Sequence, residues 1–142
     1  MGGRGRHQVV KLLLDSNVFY WYLVNPTKIG RAASNRLELA PKLYFSAASI
    51  FELTFKSQRL LRGKPALELP DNFGSIAIAA GMDEIPVRTE HSEAAKSFLG
   101  FEPGDPIDRM VLAQALHENA ILLTADQKML ELGHDWIVDA QI

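Results

Sequence analysis

Val9-Val10-Lys11-Leu12-Leu13-Leu14-Asp15-Ser16-Asn17 is the stretch that decides the fold. Its apolar part is short and continuous, and three helix-capping residue types end it. That is the pattern of a strand buried on both faces that hands over directly to a helix. Residues 17–24 are apolar, close on Asn25-Pro26, and read as that helix. The alternation then continues. A helix over 30–40 precedes Pro41 and a strand at 43–45; Ser46 caps a longer helix to Leu61, ended by Gly63 and Pro65. Pro70-Asp71-Asn72 open a helix that Gly81 stops, and residues 84–87 form a strand whose Pro86 suits a sheet edge. A helix from Thr89 to Leu99, a Gly- and Pro-rich loop to Gly104, a helix over 105–119, a strand at 121–123, a short helix over 126–132 and a strand at 136–138 complete the order. Short apolar strands alternating with helices predict an α/β, three-layer α/β/α domain with a mostly parallel central sheet of four to five strands. No repeat or linker interrupts it, so one domain is expected over 9–142 behind a flexible leader over 1–8.

Composition narrows the function. The chain has 142 residues, long enough for one substantial core, and its 47% apolar and 23% charged content is that of an ordinary globule. No apolar run approaches the ~20 residues needed to span a bilayer, so no membrane partner is expected. The basic start lacks an apolar signal core, which argues against secretion. Zero cysteines remove disulfides and thiolate chemistry and suit a reducing cytoplasm. A net charge of −2 does not mark a nucleic-acid binder, but Lys56, Arg59, Arg62 and Lys64 follow one another with no acid between them. Those four are either a phosphate-backbone patch or a solvated face.

Four acids stand where an α/β fold could gather them. Asp15 and Asp126 fall at or just past the carboxyl ends of the first and fourth predicted strands, where open α/β sheets bind ligands near the reversal of strand order. Both could equally cap the helices that follow. Asp108 lies in Asp105-Pro106-Ile107-Asp108, a good helix opening in its own right. Glu52 is the residue that capping does not explain. It lies inside a helix, with small Ala48 and Ser49 one turn earlier and Lys56 one turn later, which leaves either a surface ion pair or room for an ion. Close carboxylates repel by roughly 4 kcal/mol per pair at an intermediate effective dielectric. A fold that gathers them does so to hold a hard divalent cation. The histidines at 7, 91, 117 and 134 show no ligand spacing and are read as surface residues; Gly63-Lys64 lacks the rest of a phosphate loop. The aromatic run Phe19-Tyr20-Trp21-Tyr22 is too dense for one inward face, so half of it is expected in the core and half at an interface.

The segments Leu12-Leu13-Leu14-Asp15-Ser16-Asn17-Val18, Ser46-Ala47-Ala48-Ser49-Ile50-Phe51-Glu52-Leu53, Asp105-Pro106-Ile107-Asp108-Arg109-Met110-Val111-Leu112-Ala113-Gln114-Ala115 and Leu122-Leu123-Thr124-Ala125-Asp126 together resemble PIN-domain ribonucleases, specifically VapC-type toxins of bacterial toxin–antitoxin pairs. The resemblance covers Lys11 to Trp136. It implies that Asp15, Glu52, Asp108 and Asp126 are the catalytic metal-site acids, supported by Asn17 and Thr124, with Asp105 matching an extra acid of one branch and readable as only a cap. It departs from that pattern at Ser16-Asn17, Phe51 and Gly104. The implied activity is Mg²⁺- or Mn²⁺-dependent endonucleolytic hydrolysis of RNA, leaving 5′-phosphate and 3′-hydroxyl ends. The implied partners are RNA, a cognate antitoxin and a second copy of the chain. Lys56, Arg59, Arg62, Lys64 and Arg109 are the candidates for gripping the RNA backbone. Competing expectations are a housekeeping RNA-processing nuclease without an antitoxin, a degenerate PIN scaffold kept for binding, and a receiver-like signalling domain. Against the receiver stands the lone Asp15, where an acidic pair is needed, and the missing Asp after Leu43-Tyr44-Phe45.

Overall fold

The structure is a computed structural model that describes residues 10–101 and 105–142. The expected leader over 1–8, the first expected strand residue Val9, and loop residues 102–104 lie outside the described residues.

Five strands form one sheet: β1 (Lys11–Leu14), β2 (Leu43–Ser46), β5 (Asp83–Ile85), β6 (Ala120–Thr124) and β7 (Ile137–Asp139). The order across it is β5-β2-β1-β6-β7, and every pairing is parallel. β1 and β6 are therefore adjacent at the centre, and β5 with its trailing Pro86 takes an edge. The chain builds outward from β1 on one side, then returns to lay β6 and β7 on the other. The strand order reverses between β1 and β6, so their carboxyl ends open the crevice where such sheets bind ligands.

Side chains of β1 alternate between two cores, the period-2 rule of a strand covered on both faces. Leu12 and Leu14 pack with Phe19, Phe45, Leu53, Phe73 and Ala77; Leu13 packs with Leu112, Leu122, Met129 and Ile137. The first core is roofed by α1 (Ser16–Val24), α2 (Arg31–Leu39), α3 (Ala47–Gln58) and α4 (Phe73–Ala79), the second by α5 (Thr89–Ala94), α6 (Pro106–His117) and α7 (Gln127–Leu130). This is the expected three-layer α/β/α arrangement. Of the aromatic run on α1, Phe19 is buried and stacked on Phe45 at 4.7 Å, while Tyr20, Trp21 and Tyr22 stay half-buried around the same core.

One element differs from expectation. The helix predicted to run to Leu61 stops at Gln58, and Leu60–Leu61 (β3) folds back antiparallel on Lys64–Pro65 (β4). Arg62 and Gly63 both have positive φ, 54° and 79°, the pair of left-handed residues whose twist suits a two-residue hairpin. Gly63 is a hairpin turn, not a helix stop. Arg59 lies in extended backbone at the end of α3, and Arg62 and Lys64 are exposed on the hairpin.

Candidate active site

The acids reach the crevice from four separate segments of the chain. Asp15 follows β1 and caps α1, its Oδ1 accepting the Ser16 N–H at 2.9 Å. Its Oδ2 accepts the Thr124 hydroxyl at 2.7 Å, and that hydroxyl oxygen accepts the Asp126 N–H at 3.0 Å. Asp126 in turn caps α7 through Lys128 and Met129 N–H groups. Capping and site placement are thus compatible: the helix starts fix where the carboxylates sit. Thr124, fully buried at the end of β6, links the two strand-end acids.

From the other side come α3 and α6. Glu52, in the middle of α3, and Asp105 and Asp108, at the head of α6, bring carboxylate oxygens within 4.8 Å of one another. Asp105, expected either as an extra acid or as only a cap, does cap α6 through the Ile107 N–H at 2.8 Å, and its carboxylate also belongs to this trio.

The electrostatics bind the groups into one site. Burial pushes the Asp15 carboxyl up to about 6, against the Thr124 and Ser16 hydrogen bonds that lower it, and the charges of Glu52 and Asp126 add to the rise. Burial likewise pushes Asp108 up to about 7, helped by Asp15, Asp105, Glu52 and Asp126 in turn. Asp108 therefore feels every other acid of the crevice, although it lies in the first turn of a helix, where the dipole favours the anion. Carboxylates gathered in a partly buried crevice match the needs of a hard, oxygen-seeking divalent cation.

The remaining expected residues divide. Lys56 turns its ammonium to the site, 3.0 Å from Asn17 Oδ1 and 3.7 Å from Glu52 Oε2. Both readings of Glu52 thus hold at once, since it pairs with Lys56 and also joins the acids. Arg59, Arg62 and Lys64 are exposed. Arg109 points elsewhere: its guanidinium donates to the carbonyl oxygens of Phe101 at 3.1 Å and Leu99 at 3.4 Å.

Two features escaped the sequence reading. Ser16, read as a helix-capping type, and Ser49, read as a small residue one turn before Glu52, hydrogen-bond to each other at 2.8 Å, both buried, between the elements that carry Asp15 and Glu52. His91, read as a surface residue, is fully buried. Its Nδ1 accepts the Arg88 N–H at 3.1 Å, so the proton sits on Nε2, 2.9 Å from Glu118 Oε2; Glu118 also takes Lys11 at 2.8 Å. His91, His117 and Glu118 lie close enough to suggest a second metal site. The tautomer argues otherwise: ligation through Nε2 would move the proton to Nδ1, against the Arg88 N–H and the Gln114 amide nitrogen 3.4 Å away. This cluster lies at the amino ends of β1 and β6, away from the acids, and ties α5 and α6 to the sheet.

The PIN domain family profile matches residues 12–135. The chain belongs to the PIN-domain family. Ribonuclease VapC22 of Mycobacterium tuberculosis is 30% identical over 129 residues, 87% of this chain and 92% of that protein, which places this PIN domain in the VapC branch. Solved structures share its fold at low identity. VapBC2 from Rickettsia felis bound to a promoter DNA fragment superposes with a TM-score of 0.64 at 14% identity, covering 92% of this chain and 97% of that one. DNA-bound VapBC from Salmonella typhimurium gives 0.62 at 14%, covering 92% and 96%. A toxin–antitoxin complex from Klebsiella pneumoniae gives 0.60 at 15%, covering 89% and 95%. Among the described residues no helix is long and apolar enough to cross a membrane.

Proposed function

We propose that this PIN domain is a divalent-metal-dependent endoribonuclease, the toxin of a type II toxin–antitoxin pair, acting in the cytoplasm. The observation that carries the reading is the meeting of Glu52, Asp105 and Asp108 oxygens within 4.8 Å, beside Asp15 and Asp126 at the β1–β6 crevice. The donor set is all carboxylate, which suits Mg²⁺ or Mn²⁺ and not a softer metal. Asp15, Glu52, Asp108 and Asp126 would hold the ion, with Asp105 as a fifth acid. A bound ion there supplies positive charge for the scissile phosphate and acidifies a water for attack.

The protein's own groups do the rest. Thr124 holds Asp15 and the Asp126 backbone in fixed relation, so the carboxylates need no rearrangement when charge arrives. One of the acids would take the proton of the attacking water. Lys56, with Arg59, Arg62 and Lys64 on the end of α3 and the hairpin, offers the counter-charge that lets a polyanion approach an acidic crevice. Arg109, engaged with backbone carbonyls, is left to structure in this reading. Exposed Phe51 and Phe55, edge-on at 4.7 Å, and exposed Leu60 and Leu61 give a protein partner such as an antitoxin or a second copy an apolar surface to cover.

Induced expression tests the reading. Wild type should arrest growth and leave cut RNA with 5′-phosphate and 3′-hydroxyl ends; Asp15→Asn should do neither. Rescue by the product of an adjacent small gene marks a toxin, whereas cleavage without arrest marks a housekeeping nuclease. Arrest by Asp15→Asn as strong as by wild type would end the proposal.

A further inference from the structure

We propose that Lys56 is a substrate-contacting residue of the hydrolysis, serving as the crevice's own counter-cation until Glu52 takes up metal and then turning to the RNA phosphate at the cleavage point. This rests on the nuclease reading above. Four basic residues follow one another from 56 to 64, and their placement separates them. Arg59, Arg62 and Lys64 are exposed, whereas Lys56 is half-buried at the acids.

The hold on Lys56 is unlike that of an ordinary helix-surface pair. A Glu–Lys pair one turn apart in solvent needs no third partner. Here the nearer contact comes from another element: Asn17, two residues after Asp15, accepts from Nζ at 3.0 Å, while Glu52 stands at 3.7 Å. The ammonium is therefore anchored by a neutral oxygen and attracted by a charged one. A neutral anchor fixes position without cancelling charge. The tether joins the start of α1, next to Asp15, to the last turn of α3, one turn after Glu52, so the cation cannot drift far from the reacting centre.

Charge balance gives the exchange its direction. Without metal, Lys56 partly offsets an excess of carboxylates. Once Glu52 is neutralised by a divalent ion, its pull on Lys56 falls and two cations face each other across the same carboxylate. An incoming phosphate, singly anionic and able to accept from the ammonium's remaining N–H groups, is then the better partner. The structure thus assigns Lys56 two opposed effects, a weak penalty on metal uptake and a gain in phosphate binding at the cut.

The test uses the full chain stripped with EDTA. Mn²⁺ alone is titrated by calorimetry, and single-turnover cleavage of an RNA oligonucleotide is then measured at saturating Mn²⁺. Lys56→Met keeps the apolar stem and should bind Mn²⁺ about two- to fivefold more tightly than wild type, the scale of one partly exposed ion pair. Its cleavage rate should fall at least about tenfold, the scale of a lost charged hydrogen bond. Arg62→Ala should weaken RNA binding and its salt dependence while leaving Mn²⁺ affinity where it was. Mn²⁺ affinity equal to or weaker than wild type in Lys56→Met, or undiminished cleavage, overturns the assignment. Lys56→Gln provides the same opposed shifts should the Met variant fold poorly by circular dichroism. A wild type that neither binds Mn²⁺ nor cuts sinks the nuclease reading itself; a wild type that does both beside an unmoved variant sinks the Lys56 role alone.

Discussion

Thr124 donates its buried hydroxyl to Asp15 Oδ2 at 2.7 Å, joining the carboxyl ends of the two central strands through one oxygen that also receives the Asp126 N–H. Thr124→Val keeps the shape and removes both contacts. A buried acceptor and a backbone donor then lose a partner, so thermal melts should show a loss of about 1–3 kcal/mol. The Asp15 carboxyl, deprived of a hydrogen bond that lowers it, should rise further and weaken Mn²⁺ binding at neutral pH. Thr124→Ser should recover most of both. A Val variant as stable and as tightly Mn²⁺-binding as wild type would show the contact to be incidental.

The crevice carboxyls make metal-free stability fall as pH rises. Asp15 at about 6 and Asp108 at about 7 are raised in the folded state above the ordinary aspartate value of about 3.9 in an unfolded chain. Between about pH 4 and pH 7 the folded state then holds more protons than the unfolded one, and stability declines through that window. Glu118 runs the other way. Its hydrogen bonds to Lys11 and His91 hold it down to about 2, so its contribution is lost as pH falls from about 4 toward 2. EDTA-treated protein should melt highest near pH 5 and lower at pH 7.5, and Asp108→Asn should flatten that decline. A melting temperature that climbs steadily from pH 5 to 7.5 would contradict the electrostatics.

Asp105 separates its two roles on substitution. Asp105→Ala removes a helix cap, costing about 1 kcal/mol, while relieving repulsion at Asp108. The net change in melting should be small, the Asp108 carboxyl should move down, and cleavage should fall less than in Asp15→Asn. Loss of activity as complete as in Asp15→Asn would promote Asp105 to a required acid.

At the far end of the sheet, Glu118→Ala should act on stability alone. It strips the buried His91 Nε2–H and Lys11 of their partner, at a cost of about 1–3 kcal/mol. Cleavage per folded molecule should stay at the wild-type level, because the acids lie at the opposite ends of the strands. Parallel loss of Mn²⁺ affinity would place that cluster in the site after all.

The sheet was legible because its signals are local. Leu12-Leu13-Leu14 can hardly be anything but a doubly buried strand, and Asp15 and Asp126 stand at strand ends by simple counting. Glu52 stood out as an acid where no cap or dipole explains one. What stayed hidden depends on contacts between residues distant in sequence. His91 looks like a surface histidine until Glu118, 27 residues later, and the Arg88 N–H are folded against it. Ser16 and Ser49 each make sense as helix-entry residues, and only the packing of α1 on α3 joins them. Asp105 satisfies the local capping rule so well that only the family resemblance pointed to its place among the acids. Gly63 followed a helix, and its hairpin turn shows only when Leu60 and Leu61 pair backwards.

Acids from four separate segments are proposed to act as one divalent-metal site for cutting RNA. RNA cleavage by EDTA-stripped protein, with Mn²⁺ added back stepwise to wild type and to Asp108→Asn, tests it most directly. Wild type should be silent without metal and active with it, while the folded Asn variant stays silent at every concentration. Cleavage by wild type in excess EDTA, or undiminished cleavage by Asp108→Asn, would contradict it.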